Sequence, residues 1–293
     1  MPPTPDRAAE LAALDAKINA RLPPRYQHCY GSVRTASMGS AALTFAPDGR
    51  VAWDRIWTTF CDLALAGGPP HRGTLLEPVA PAAVAAEPAR YCTTADEIAR
   101  AFGLVTGLPV LNDEPGWVGV RCESADMAAW LLAAVTAENV TARRRGDRLD
   151  LPAGPRFLLG KEVKNVVVAL AKTCHYWTGH MPDEWAARPT PPVPVGPPAA
   201  PVADRAALVA AIRAAADGWP TESKRYAGWV GLTCPDEDAA VWLLRAVAVA
   251  DVLVRREGAT LYVPTGATPA EAARVADVLT HARGLWRATA SAG

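Results

Sequence analysis

A shift of 112 positions lays residues 116–154 over residues 228–266 without a gap, and nineteen of those thirty-nine pairs are identical. Two copies of one stretch must fold by the same hydrophobic pattern, so this internal duplication constrains the chain more than any other feature. The matched positions include Gly116-Trp117-Val118-Gly119 with Gly228-Trp229-Val230-Gly231, and Cys122 with Cys234. They also include Trp130-Leu131-Leu132 with Trp242-Leu243-Leu244, and Gly146, Leu149 and Pro152 with Gly258, Leu261 and Pro264.

Each copy reads the same way physically. Trp-Val-Gly opens a short β run. Ser124 caps the next helix in the first copy, whereas the second places Pro235 at the first helical position with Asp236, Glu237 and Asp238 in the first turn. Met127, Trp130, Leu131, Ala134 and Val135 then recur at spacings of three and four, giving an apolar face that packs on a sheet. Two strand-like pieces follow around a glycine turn at Gly146 or Gly258. A helix precedes each copy, near residues 95–102 and 206–216, and another follows, over residues 158–176 and 269–285. The unit is α-β-α-β-β-α, which predicts an α+β fold with helices on one face of an antiparallel or mixed sheet, a ferredoxin-like arrangement being one solution.

At 293 residues the chain is about twice the ~150 expected of one domain. Residues 1–90 read as an N-terminal α/β extension packed on the first copy, 91–187 as the first repeat unit, 188–203 as a proline-rich linker and 204–290 as the second unit. Within the extension the pattern predicts a helix over residues 1–24 and a strand at 41–45. A Pro47-Asp48-Gly49 turn and a helix over residues 51–66 burying Trp53, Ile56, Trp57, Phe60 and Leu63 follow.

Lysine plus arginine equals aspartate plus glutamate at 30 each, so no global field draws the chain to nucleic acid. Arg143, Arg144, Arg145 and Arg148 form a local positive patch without interleaved aromatics, better read as the protected edge of a sheet. No stretch reaches the ~20 apolar residues that span a membrane, and residues 1–24 lack the uninterrupted apolar run of a signal peptide. Six dispersed cysteines read as reduced thiols, so the expected setting is the cytoplasm. The Ala, Pro and Arg-over-Lys usage is that of a GC-rich bacterial source.

Polar residues present in one copy only are the better functional candidates, because shared residues report the fold. Leu159, Val163, Val166, Val167, Leu170 and Cys174 make the apolar face of the last helix of the first copy, and Lys161, Lys164, Lys172 and His175 fall elsewhere on it as a basic stripe. Its end, Thr173-Cys174-His175-Tyr176-Trp177-Thr178-Gly179-His180, concentrates groups able to act as acid, base or nucleophile: His175, His180 and Cys174 are the catalytic candidates. The second cluster is Gly67-Gly68-Pro69-Pro70-His71-Arg72, where His71 and Arg72 offer donors to a carboxylate or phosphate. With Lys164 and Lys172 these make a ligand-binding set, and Cys61 stands just upstream.

The expectation is a cytoplasmic enzyme or binding protein for a small anionic metabolite, with the second copy as a structural partner. The alternatives are a metalloprotein using His175, His180, His71, Cys61 or Cys174, and a non-catalytic scaffold or regulatory module built on the duplicated unit, as a homo-oligomer or with another partner. The sequence carries neither the G-x-x-x-x-G-K-[ST] phosphate loop nor the G-x-G-x-x-G dinucleotide pattern, and the cofactor is left open.

Overall fold

The structure is a computed structural model that describes residues 5–22, 42–55, 63–181 and 193–290. It bears out the α+β class and the two similar units. The first unit runs α3 (Pro88–Thr106), β1 (Val110–Glu114), β2 (Trp117–Arg121), α4 (Ala125–Ala137), β3 (Arg143–Arg145), β4 (Arg148–Pro152) and α5 (Lys164–His180). It is preceded by the short helix α2 (Pro81–Ala86). The second repeats the order as α6 (Arg205–Ala216), β5 (Thr221–Glu222), β6 (Trp229–Thr233), α7 (Glu237–Ala248), β7 (Arg255–Glu257), β8 (Thr260–Pro264) and α8 (Pro269–Ala290).

Both sheets are antiparallel, ordered β1-β2-β4-β3 and β5-β6-β8-β7. Because β4 lies between β2 and β3, the β2-α4-β3 crossover is a split β-α-β unit, the heart of a ferredoxin-like sheet. The departure is at the edge: the strand beside β2 is supplied from in front, by β1, where the ferredoxin-like order supplies it from the chain's end. The repeat is therefore α-β-β-α-β-β-α, one strand longer than the pattern predicts. Val110-Leu111-Asn112-Asp113-Glu114 carries no apolar alternation, so its pairing with β2 dictates its conformation.

Alternation is clear in the central strands. Val118, Val120, Leu149 and Leu151 are fully buried on the helix-bearing face, and Val230, Leu232, Leu261 and Val263 repeat them. Ser124 caps α4, accepting from the Met127 amide at 3.1 Å. In α7 the cap is Asp236, which accepts from the Ala239 amide at 2.7 Å, so the first helical residue is Glu237, two residues later than a start at Pro235. The last helix of the first unit starts irregularly. Leu159–Val163 is a π-helical turn, which rotates Leu159 off the apolar face and leaves it 37% exposed.

α5 and α8 match when Val163, Val166, Leu170 and Tyr176 are set against Ala272, Val275, Leu279 and Leu285, all buried. The repeat also extends upstream. Leu76 makes a parallel bridge to Val140, and Val195 makes the same bridge to Val252. Gly116 (φ 88°) packs under the Val79 carbonyl, and Gly228 (φ 74°) packs under Pro197 and Pro198. The described part of the proline-rich segment pairs with the second unit through Val195, whose amide donates to the Asp251 carbonyl and whose carbonyl accepts from the Leu253 amide.

Among the described residues one compact unit holds 42–55, 63–64 and 68–181, and the other holds 5–22, 65–67 and 193–290. Helix α1 (Pro5–Asn19) belongs to the second: it packs on α7 and α8, and just beyond its end Arg21 pairs with Asp251. The N-terminal stretch is therefore divided, its later part packing on the first unit through Trp53, whose Nε1 donates to Glu97 at 2.7 Å. Of the helix predicted over residues 51–66, residues 56–62 lie outside the described residues, and what flanks them is two short 3-10 turns, Trp53–Arg55 and Ala64–Ala66. The strand predicted at 41–45 is a single bridge, Phe45 to Val51, closing the Asp48-Gly49 turn.

Candidate functional site

The site forms where α4 stops. Its last turn is followed by Glu138 and then by Asn139 at φ 63°, a left-handed residue that turns the chain out toward Val140. Glu138 points inward and is 0% exposed. Its carboxylate accepts from the Lys172 ammonium at 2.7 Å and from the backbone amides of Ala64 at 2.9 Å and His71 at 2.8 Å. Lys172 is 1% exposed. Next to it the Asn139 side-chain amide donates to the Arg72 carbonyl at 2.7 Å. A buried carboxylate thereby fastens Ala64 and the 68–76 loop to both α4 and α5, and each of its donors offsets part of its desolvation.

This brings His71 to α5. Its half-buried ring hydrogen-bonds the Asn165 side chain, and Lys172, Lys164 and Arg72 act on it electrostatically. Burial first, then the ammonium groups of Lys172 and Lys164, push the imidazole down to about 3. Lys164 and Lys172 are buried, where a basic stripe would have been solvated. Arg72 lies toward solvent, its Nε donating to the Thr74 carbonyl at 3.1 Å.

The helix end behaves differently. Cys174 is buried close to Cys122, and burial raises its thiol well above the usual range; the Cys122 thiol is pushed up to about 12. A thiol so placed is a packed apolar group. His175, one turn beyond Lys172, meets the Tyr176 ring edge-on at 6.0 Å and passes over Gly179, while Trp177 packs against Trp130 at 5.8 Å. His180 ends α5, and its side chain lies outside the described residues, as does Cys61. Among the described residues, no three His, Cys, Asp or Glu side chains gather as a metal-binding group would.

The arginine patch is not a free positive surface. Asp150, 0% exposed, accepts from Arg143 at 3.1 Å, Arg145 at 2.9 Å and Arg148 at 2.5 Å, while Asp113 and Glu114 pair with the same arginines. Arg144 turns away and donates to the Ala125 carbonyl. In the second unit Arg255 is fully buried among the rings of Tyr226, Trp229 and Tyr262.

Sequence reasoning brought out His71, Arg72, Lys164 and Lys172 but missed Glu138, Asn139 and Asn165. The signal for Glu138 was present: it is an acid facing Ala250 in the duplicate, a polar residue in one copy only. Comparison with known protein families, with curated proteins and with solved structures finds no match.

Proposed function

We propose that the chain is a cytoplasmic protein that binds a small anionic metabolite in its first unit, as an enzyme acting on it or as its carrier, through His71, Arg72, Lys164 and Lys172. One observation carries this reading: the imidazole of His71 stands among three cationic side chains and is held neutral there. A neutral imidazole keeps one donor and one acceptor nitrogen, which suits it to orienting a ligand, while the Lys164 ammonium and the Arg72 guanidinium supply the net charge that attracts an anion. Glu138 answers the charge of Lys172 from the buried side, and Arg72 lies at the solvent side, where a ligand would enter.

Of the catalytic candidates, His175 and His180 follow Lys172 along α5 and are the groups we assign to act on a bound ligand. Cys174 has no part in the proposal, since its thiol is buried and held protonated. The four described cysteines, Cys92, Cys122, Cys174 and Cys234, are free thiols, which supports a reducing setting.

A thermal-shift panel at pH 7 tests the reading, comparing phosphate, sulfate, citrate and succinate on wild type, Lys164→Gln and Arg72→Gln. One anion class should raise the unfolding midpoint in wild type. Each variant should bind it about tenfold more weakly, the scale of one lost charge-assisted hydrogen bond. An equal response in the variants, or no response to any of the four, would overturn it.

A further inference from the structure

We propose that the second unit holds a site of its own for a small carboxylate with a short apolar body, in the groove between α1, α7 and α8. The groove has a volume of about 300 Å³, small but within reach of a ligand of a few heavy atoms. It lies at the place in the second unit that the buried Glu138–Lys172 pair fills in the first. The matching of α4 with α7 sets Glu138 against Ala250, and the matching of α5 with α8 sets Lys172 against His281; both Ala250 and His281 line the groove. Where the first unit builds in a carboxylate and an ammonium, the second has a methyl group, an imidazole and open space.

The chemistry of the walls matches what is missing. Lys17 of α1 and His281 of α8 offer donors to a carboxylate, and Val249 and Val278 give an apolar floor for a short chain. Glu10 also lines the groove, but its carboxylate pairs with Arg7 at 3.5 Å, which offsets its repulsion of an anion. A ligand carboxylate would therefore occupy the position of the Glu138 carboxylate, held by side chains of its own unit. The site shares no residue with the one proposed above, so either can fail without the other.

The test follows the His281 ring resonances of the full chain by NMR during titration with butyrate, n-butylamine and n-butanol, the assignment being fixed by His281→Gln. Butyrate should give a saturable shift at His281 that leaves the His71 ring unmoved, and the amine and the alcohol should give none. Ala250→Leu, which fills the groove, should abolish the shift, and Lys17→Gln, an exposed change that leaves the fold alone, should weaken binding about tenfold. No saturable shift, an equal response to butylamine or butanol, or unaltered binding in Lys17→Gln would overturn the proposal.

Discussion

Glu138 accepts three donors while wholly withdrawn from water, so its partners matter more than their number suggests. Removing one member of a buried pair costs about 3–5 kcal/mol, because the other is left charged in a medium that solvates it poorly. Lys172→Met should lose about that much stability in urea unfolding, while Lys161→Met, on exposed helix surface, should stay within about 0.5 kcal/mol of wild type. His71 sets a pH dependence whose sign is fixed. The unfolded chain takes up a proton near 6.5, whereas the folded chain resists it down to about 3, so acidification across that window favours unfolding. The stability is intact above 6.5 and is lost as pH falls, and His71→Gln should flatten this part of the stability profile relative to wild type. The thiols differ just as sharply: brief alkylation of native protein, mapped by mass spectrometry, should label exposed Cys92 and spare Cys122, Cys174 and Cys234. These contrasts were only half legible in the sequence. Spacing put Lys164 and Lys172 on one side of α5, but the contact with His71 and the 68–76 loop joins residues about a hundred positions apart, which no local pattern encodes.

At the scale of elements, Gly119 shows how closely the sheet is built. A Cβ there would come within 2.3 Å of the Asp150 carboxylate, which three arginines hold in place. Gly119→Ala should destabilise the first unit by about 1–3 kcal/mol, the usual cost of overpacking, read as a shift in the urea midpoint. The paired glycines, the capping Ser124 and the periodicity of α4 were readable because each follows from local backbone or helical geometry. β1 and the pairing at Val195 were not. The first is polar and is made a strand by β2, and the second is hidden in a proline run whose bridge to Val252 is formed by a single residue. The π-helical turn at Leu159–Val163 also escapes periodicity, since the sequence continues an α-helical pattern through it.

At the scale of the whole molecule, the duplication gives two units with one topology and different interiors at matched positions. The first buries Glu138 against Lys172 and presents His71 to Lys164; the second leaves Ala250 and His281 beside a groove. This divergence is the physical ground for proposing a different site in each unit, an anion at His71 in the first and a short carboxylate in the α1-α7-α8 groove of the second, since function is placed on a fold by its local residues rather than by the fold itself. The most direct test follows the His71 imidazole by NMR at pH 7 while phosphate and then succinate are titrated into wild type and Lys164→Gln. A saturable shift at His71 in wild type, displaced to about tenfold higher concentration in the variant, is the predicted result; a His71 ring that neither anion moves would contradict the account.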